Sequence, residues 1–309
     1  MYPRSRRSAV LALTAAAASW GLGTVVSKHA VAEIPPVTLL TIQLASSLIG
    51  LSLLMRGRRL PLRSQTSAPI LGRLGLLNPG LAYALGLLGL VHITASLSVL
   101  LWALEPLLIL VLAALLLHEK IGLPVVALSL TAVSGMALVI YQPDSAGSLI
   151  GVALTVAGVA CCAVYTIVAR HWLGDADSTA QVVLAQQAYG LGLAVFLLGA
   201  LWTLGIAVVP DHVSVLGWVS AVGSGVLYYA VALWFYLSAL REMPASAAAS
   251  SFYLIPVFGV AGSVLFLGER LDPVQWLGAA VVLAAVFTIL RRTSPPEPEV
   301  AMVATLSGD

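Results

Sequence analysis

The sequence predicts an all-α integral membrane protein, with ten transmembrane helices forming two inverted five-helix repeats. Three observations carry that reading. Of 309 residues, 9% are charged and 60% are hydrophobic, with a mean hydropathy of +1.01. A soluble domain carries about 25% charge, so composition excludes a soluble enzyme and names the lipid bilayer as a partner. Apolar runs also recur along the whole chain, and motifs of the first half return in the second at a fixed offset. A net charge of +2 gives no basis for a nucleic-acid partner.

The apolar runs lie at about 9–27, 37–55, 70–91, 95–117, 122–141, 149–169, 181–203, 213–237, 245–267 and 274–291. At 1.5 Å per residue, each reaches across a hydrocarbon core of about 30 Å. Period-2 alternation is absent, which argues against a membrane β-barrel. Polar or proline breaks separate the runs, among them Pro35-Pro36, Arg56–Pro69, His118-Glu119-Lys120, Pro210-Asp211 and Glu269–Pro273. Arg4, Arg6 and Arg7 before Ala9–Ala18 imitate a signal peptide. The apolar stretch continues through Val26, however, and reads as the first helix. Residues 292–309, with Ser294-Pro295-Pro296-Glu297-Pro298-Glu299, read as a disordered tail. With the N-terminus in the cytoplasm, thirteen of the fifteen Lys and Arg residues fall on the cytoplasmic side, leaving Lys28 and Arg270 outside. The positive-inside rule then places both termini in the cytoplasm, in a plasma-membrane protein.

The repeat is explicit. Pro106 and Pro256 are 150 residues apart, as are Glu119 and Glu269, and Ala95-Ser96 and Ala245-Ser246. Thr24–Lys28-His29 returns as Thr166–Arg170-His171 at an offset of 142. The repeats are 9–141 and 149–291. Five helices are an odd number, so the halves have opposite orientations. Inverted repeats mark secondary transporters, with the substrate site near the midplane between the halves.

Met243-Pro244-Ala245-Ser246-Ala247-Ala248, Leu254-Ile255-Pro256-Val257 and Leu267-Gly268-Glu269-Arg270, with Leu104-Glu105-Pro106 and Leu117-His118-Glu119, resemble the EamA family of the drug/metabolite transporter superfamily. The resemblance covers about 9–291. It implies ten helices in two inverted repeats, helices 5 and 10 at the periphery, and export or exchange of small metabolites. Gln43 departs from it, since many relatives carry arginine there. His118 departs where glycine is commoner.

Glu105 is the only acidic residue at the centre of an expected span. A charge there costs about 2.5–3.5 kcal/mol on insertion scales, so it faces a cavity or partner, or sits protonated against a carbonyl freed by proline. Its counterpart 150 residues on is Ile255, which argues against a purely architectural role. Pro79, Pro106 and Pro256 break helices near the midplane and free carbonyls that need a partner. Asn78-Pro79-Gly80 is the most broken of these sites. Trp20, Tyr83, Trp102, Tyr165, Tyr229 and Tyr253 share that depth and could stack on a substrate or enclose a cation; each could equally be packing. Gln186, with Gln187 and Gln43, offers hydrogen bonds to substrate or between helices.

Glu119 and Glu269 read as helix-end caps, as does Asp272 before Pro273. Ala15, Ser19, Gly23 and Ser27 form a small-residue stripe for close helix contact. Cys161 and Cys162 read as small packing residues. No phosphate-binding loop, metal-spaced cluster or catalytic triad is visible, so no cofactor, no metal and no enzymatic activity are expected. The absence of mid-depth Lys or Arg disfavours phosphorylated substrates. The expected function is a secondary active transporter exporting amino acids or related small metabolites by alternating access. A proton-coupled exporter of cationic compounds is the alternative, and a non-transporting sensor or scaffold is the alternative class. Nothing specifies an oligomeric state.

Overall fold

The computed structural model describes residues 6–59, 68–116, 122–140, 148–172, 179–240 and 254–293, and among these the regular structure is helical. Helix α1 is Arg6–Val31 and α2 is Pro36–Gly57, with proline at its start, where a missing N–H costs nothing. Helix α3 is composite: Ala68–Arg73, a 3-10 turn Leu74–Leu76, a π turn Leu77–Leu81, then Ala82–His92. Helix α4 comes in two pieces, Ala95–Trp102 and Glu105–Leu116. Helices α5 (Leu123–Ile140), α6 (Leu149–Trp172) and α7 (Thr179–Thr203) follow. Helix α8 joins Val215–Gly225, a π turn Val226–Val231 and Ala232–Leu240. Helix α9 is Leu254–Leu267 and α10 is Pro273–Thr293.

Among the described residues, six helices are long and apolar enough to cross a membrane: Ser8–Val31, Pro36–Gly57, Leu71–His92, Leu149–Ala169, Ala180–Thr203 and Val215–Tyr236. Four further apolar stretches lie among the described residues: Ala95–Ile109, Val126–Val139, Leu254–Leu267 and Pro273–Ala285. The break within α4 is local. Pro106 has no N–H to return to the Trp102 carbonyl, and the helix restarts at Glu105, with proline inside its first turn. The expected start of α9, residues 245–253, and the tail beyond 293 lie outside the described residues.

Helix starts are capped from within. Thr94 Oγ1 accepts from Leu97 N at 3.2 Å, Ser148 Oγ from Gly151 N at 3.2 Å, and Ser214 Oγ from Gly217 N at 2.9 Å. At Asp272, the expected cap position, the backbone N–H donates to Gln275 Oε1 at 3.1 Å.

Helix α1 packs on α8 and α9, and α6 packs correspondingly on α3 and α4. Helix α2 lies against α7 and α8, and α7 against α2 and α3. Helix α5 packs on α10, and α4 on α9. Exchanging the first five helices for the last five maps this set of pairs onto itself. Buried Leu100, Leu101, Met136 and Val282 form one core; Leu39, Leu40, Leu44, Leu87 and Ala221 form another. Large apolar residues such as Leu115, Leu123, Phe196, Leu265 and Phe266 point outward, uncovered by protein, as a lipid-facing surface requires.

Candidate functional site

A cavity of about 30 Å³ lies between α1, α2, α3, α4 and α8. Four aromatic residues stand in its wall: Tyr83, Trp102, Tyr228 and Tyr229. Tyr83 stacks on Trp102 at 5.3 Å between ring centroids and meets Tyr228 and Tyr229 edge-on at 5.5 and 5.3 Å. Tyr228 and Tyr229 are 5.0 Å apart. The two wide turns supply this geometry. One precedes Tyr83 on α3, and the other contains both Tyr228 and Tyr229 on α8. The structure thus brings together Tyr83, Trp102 and Tyr229. It adds Tyr228, which the sequence reading passed over although it lies 150 residues after Asn78.

Thr24, Ser27, Gln43 and Ser98 complete the polar part of the wall. Gln43 is 1% exposed. Its Nε2 donates to Ser27 Oγ at 2.9 Å and to Ser224 Oγ at 2.8 Å, while its Oε1 has no partner among the described residues. Gly225 makes this contact possible, since a Cβ there would sit 2.6 Å from the Gln43 backbone.

Glu105 lies one turn beyond Trp102 and opens the second piece of α4, where a carboxylate suits the positive end of a helix. It is surrounded by the bundle yet only half covered, and lies within electrostatic range of Tyr83, Tyr165, Tyr228 and Cys162. Tyr165 stands apart from the cavity wall. Its hydroxyl donates to Gln186 Oε1 at 3.0 Å, and Gln186 Nε2 donates to the Leu71 carbonyl at 3.2 Å. Neighbouring Gln187 accepts from Ser47 Oγ at 2.8 Å and donates to the Tyr229 carbonyl at 3.3 Å, inside the α8 wide turn. Trp20 meets Tyr236 at 5.7 Å, away from the cavity. Asn78 has extended backbone (φ −139°, ψ 114°) and is half-buried; Pro79, after a cis bond, is buried against α7, as is Pro256 within α9. Pro106 is placed by its backbone alone, and Tyr253 and Glu119 lie outside the described residues.

One end of the bundle, carrying the connections 32–35, 93–94, 204–214 and 268–272, is clasped by charged side chains. Glu269 accepts from Ala95 N at 2.7 Å, Ser96 N at 3.0 Å and Ser96 Oγ at 2.6 Å. It is a cap, as expected, but of α4 in the other half rather than of the helix that follows it. Gly268, at φ +66°, makes the turn that presents it. Lys28 Nζ donates to the carbonyls of Leu90 and Ile93 at 2.6 and 2.7 Å, where α3 ends. Glu33 accepts from Ser214 N at 2.7 Å and Ser214 Oγ at 2.8 Å, where α8 begins. These bonds hold the Glu33 carboxyl below the usual carboxylate range.

A membrane-embedded helical bundle enclosing a cavity between its two ends has the build of a multi-pass transporter. The comparisons agree: the model of the EamA-like transporter family matches twice, at 7–141 and 149–291, and the chain belongs to that family and so to the drug/metabolite transporter superfamily. The chain is 25% identical over 288 residues to a protein of Archaeoglobus fulgidus named as an uncharacterized transporter, covering 92% of this chain and 98% of that one. It is also 31% identical over 103 residues, 31% of each chain, to one so named from Synechocystis sp.. A solved crystal structure shares the fold, with a TM-score of 0.63 and 18% identity, covering 94% of this chain and all of that one.

Proposed function

We propose that the protein is a secondary active transporter exporting amino acids or related small metabolites from the cytoplasm by alternating access. In this reading it has no catalytic activity and lies in the plasma membrane with both termini cytoplasmic. The matched segments form two inverted five-helix repeats, and the clasped end is the outer one. The observation that carries the reading is the cavity, whose aromatic walls come from both matched segments: Tyr83 and Trp102 from the first, Tyr228 and Tyr229 from the second. Rocking one half against the other around such a shared cavity exposes it to either side in turn. The test is uptake into liposomes holding the purified protein, with labelled amino acids and cationic dyes offered under a pH gradient. Flux of neither class would end it.

Glu105 favours a second reading, proton-coupled export of cationic compounds, because it is a carboxylate among aromatic rings, deep in the bundle yet partly accessible. Glu105→Gln keeps size and hydrogen bonding but cannot ionise. Under this reading it keeps flux down a gradient and loses concentration against one. Wild-type rate with unchanged pH dependence excludes the coupling role.

The topology has its own test. Cysteine placed at Gln65, in a variant with Cys161 and Cys162 changed to serine, resists an impermeant thiol reagent in intact cells. Ready labelling from outside inverts the orientation.

A further inference from the structure

Gln43 is fixed in one orientation by its neighbours. The Ser224 hydroxyl donates to the Ala221 carbonyl at 3.0 Å, so its oxygen has to receive a donor from Gln43. That directs Nε2 toward Ser224 and leaves Oε1 as an acceptor without a donor among the described residues, in a side chain that lines the cavity. A buried acceptor so placed costs free energy until a donor reaches it. The cavity has room for about one water-sized group, which is also the size of an ammonium head.

The rest of the wall selects among donors. The π faces of Tyr83, Trp102, Tyr228 and Tyr229 attract positive charge and repel negative charge. Among the described residues no charged side chain lines the cavity. Lys28, next in sequence to Ser27, has its ammonium committed to the Leu90 and Ile93 carbonyls, so it does not offer a counter-charge to a carboxylate head here.

We propose that this cavity is an amino-group subsite, in which Gln43 Oε1 accepts a hydrogen bond from the ammonium of a substrate seated against the tyrosine and tryptophan faces. The proposal deepens the transport reading and rests on it, because it assigns substrate class: compounds that lead with a primary amine, free amino acids included, rather than with a carboxylate or hydroxyl.

The experiment uses full-length purified protein, labelled phenethylamine as probe, and competition by unlabelled phenethylamine, 2-phenylethanol and phenylacetate, which differ only in the head group. Wild type binds the amine at least about ten-fold more tightly than either competitor, the effect expected of one hydrogen bond to a charged group. Gln43→Met keeps the volume, removes the acceptor and abolishes that preference. Gln43→Glu strengthens amine binding and covers the case in which the methionine variant does not fold. Equal or tighter binding of the alcohol or the carboxylate, an undiminished preference in Gln43→Met, or no detectable amine binding overturns the subsite. Amine preference without flux of any amine in liposomes leaves the subsite standing and removes the transport reading instead.

Discussion

Helices α3 and α8 occupy corresponding places in the two matched segments and solve one problem in different ways. Each contains a wide turn, Leu77–Leu81 in α3 and Val226–Val231 in α8, about 150 residues apart. In α3 the turn is written locally, as Asn78-Pro79-Gly80. In α8 it is built from Val-Leu-Tyr-Tyr-Ala-Val, which contains neither proline nor glycine. There its carbonyl at Tyr229 is satisfied from outside, by Gln187, while Gln186 serves α3 at Leu71. Adjacent glutamines on α7 thus support both helices. Both helices carry the wide turn at this position, and local sequence is only one way to obtain it.

The clasped end differs in the same instructive way. It holds α3 by its C-terminal end with a cation, Lys28, and α8 by its N-terminal end with an anion, Glu33. The charges match the dipole pole that each helix presents there, as expected if the two helices run in opposite directions.

The comparison can be broken most severely by deleting Leu227. A π turn carries one residue more than an α turn. Its removal rotates the chain on one side by about 100° and takes Tyr228 and Tyr229 out of register with Tyr83. The expected outcome is loss of probe binding with folded protein still recovered, read by size-exclusion profile and binding together. Retained binding would show that the wide turn is incidental.

A smaller effect is expected from the glutamines. Gln187→Leu orphans the Tyr229 carbonyl and Gln186→Leu the Leu71 carbonyl, each at about 1–3 kcal/mol. Gln187→Leu is the costlier of the two, because Ser47 is fully buried whereas Tyr165 keeps some exposure. Unfolding titrations in mixed micelles measure both; a silent Gln187→Leu would mean that α8 holds its turn unaided.

The smallest effect concerns pH. Glu33 has its pKa lowered chiefly by the Ser214 N–H, then by the Ser214 hydroxyl, with His29 and His212 nearby. Its contribution is complete above the ordinary glutamate value of about 4.3 and is lost as pH falls through the lower folded value. Acid does not discharge the Lys28 ammonium that holds α3. Thermal midpoints measured from pH 7 down to 3 should therefore fall more in wild type than in Glu33→Gln. Parallel curves would show that Glu33 contributes nothing to the end of α8.

What was legible in the sequence follows from range. Spans, breaks and the 150-residue offset are local or periodic, and the all-helical build with its long apolar helices agrees with the spans read from them. Tyr83, Trp102 and Tyr229 were legible by depth. Tyr228 was not singled out, since depth does not separate adjacent tyrosines, although the offset from Asn78 marks it. Trp20 shares their depth but packs on Tyr236, because depth does not fix the direction a side chain takes around a helix. The partner of Glu269 was illegible: capping chemistry is evident from the residue, yet the helix it caps begins 174 residues earlier. Gln43 stood out as a departure and as a hydrogen-bonding candidate, but its orphaned acceptor becomes visible only when its neighbours are in place.

The separation between Glu33 and Ser214, 181 residues, also has a consequence for biogenesis. At about 5–20 residues per second of synthesis, Glu33 waits roughly 10–35 seconds on the ribosome before its partner exists. Glu269 emerges last, to claim Ala95 and Ser96 made long before. Throughout that interval the first half sits in the bilayer with its loop carboxylate in water and the amides at the start of α4 lacking that cap. Final assembly at this end is therefore post-insertional, and truncation just before Glu269 would leave a nascent chain inserted but unlocked, a substrate for membrane quality control.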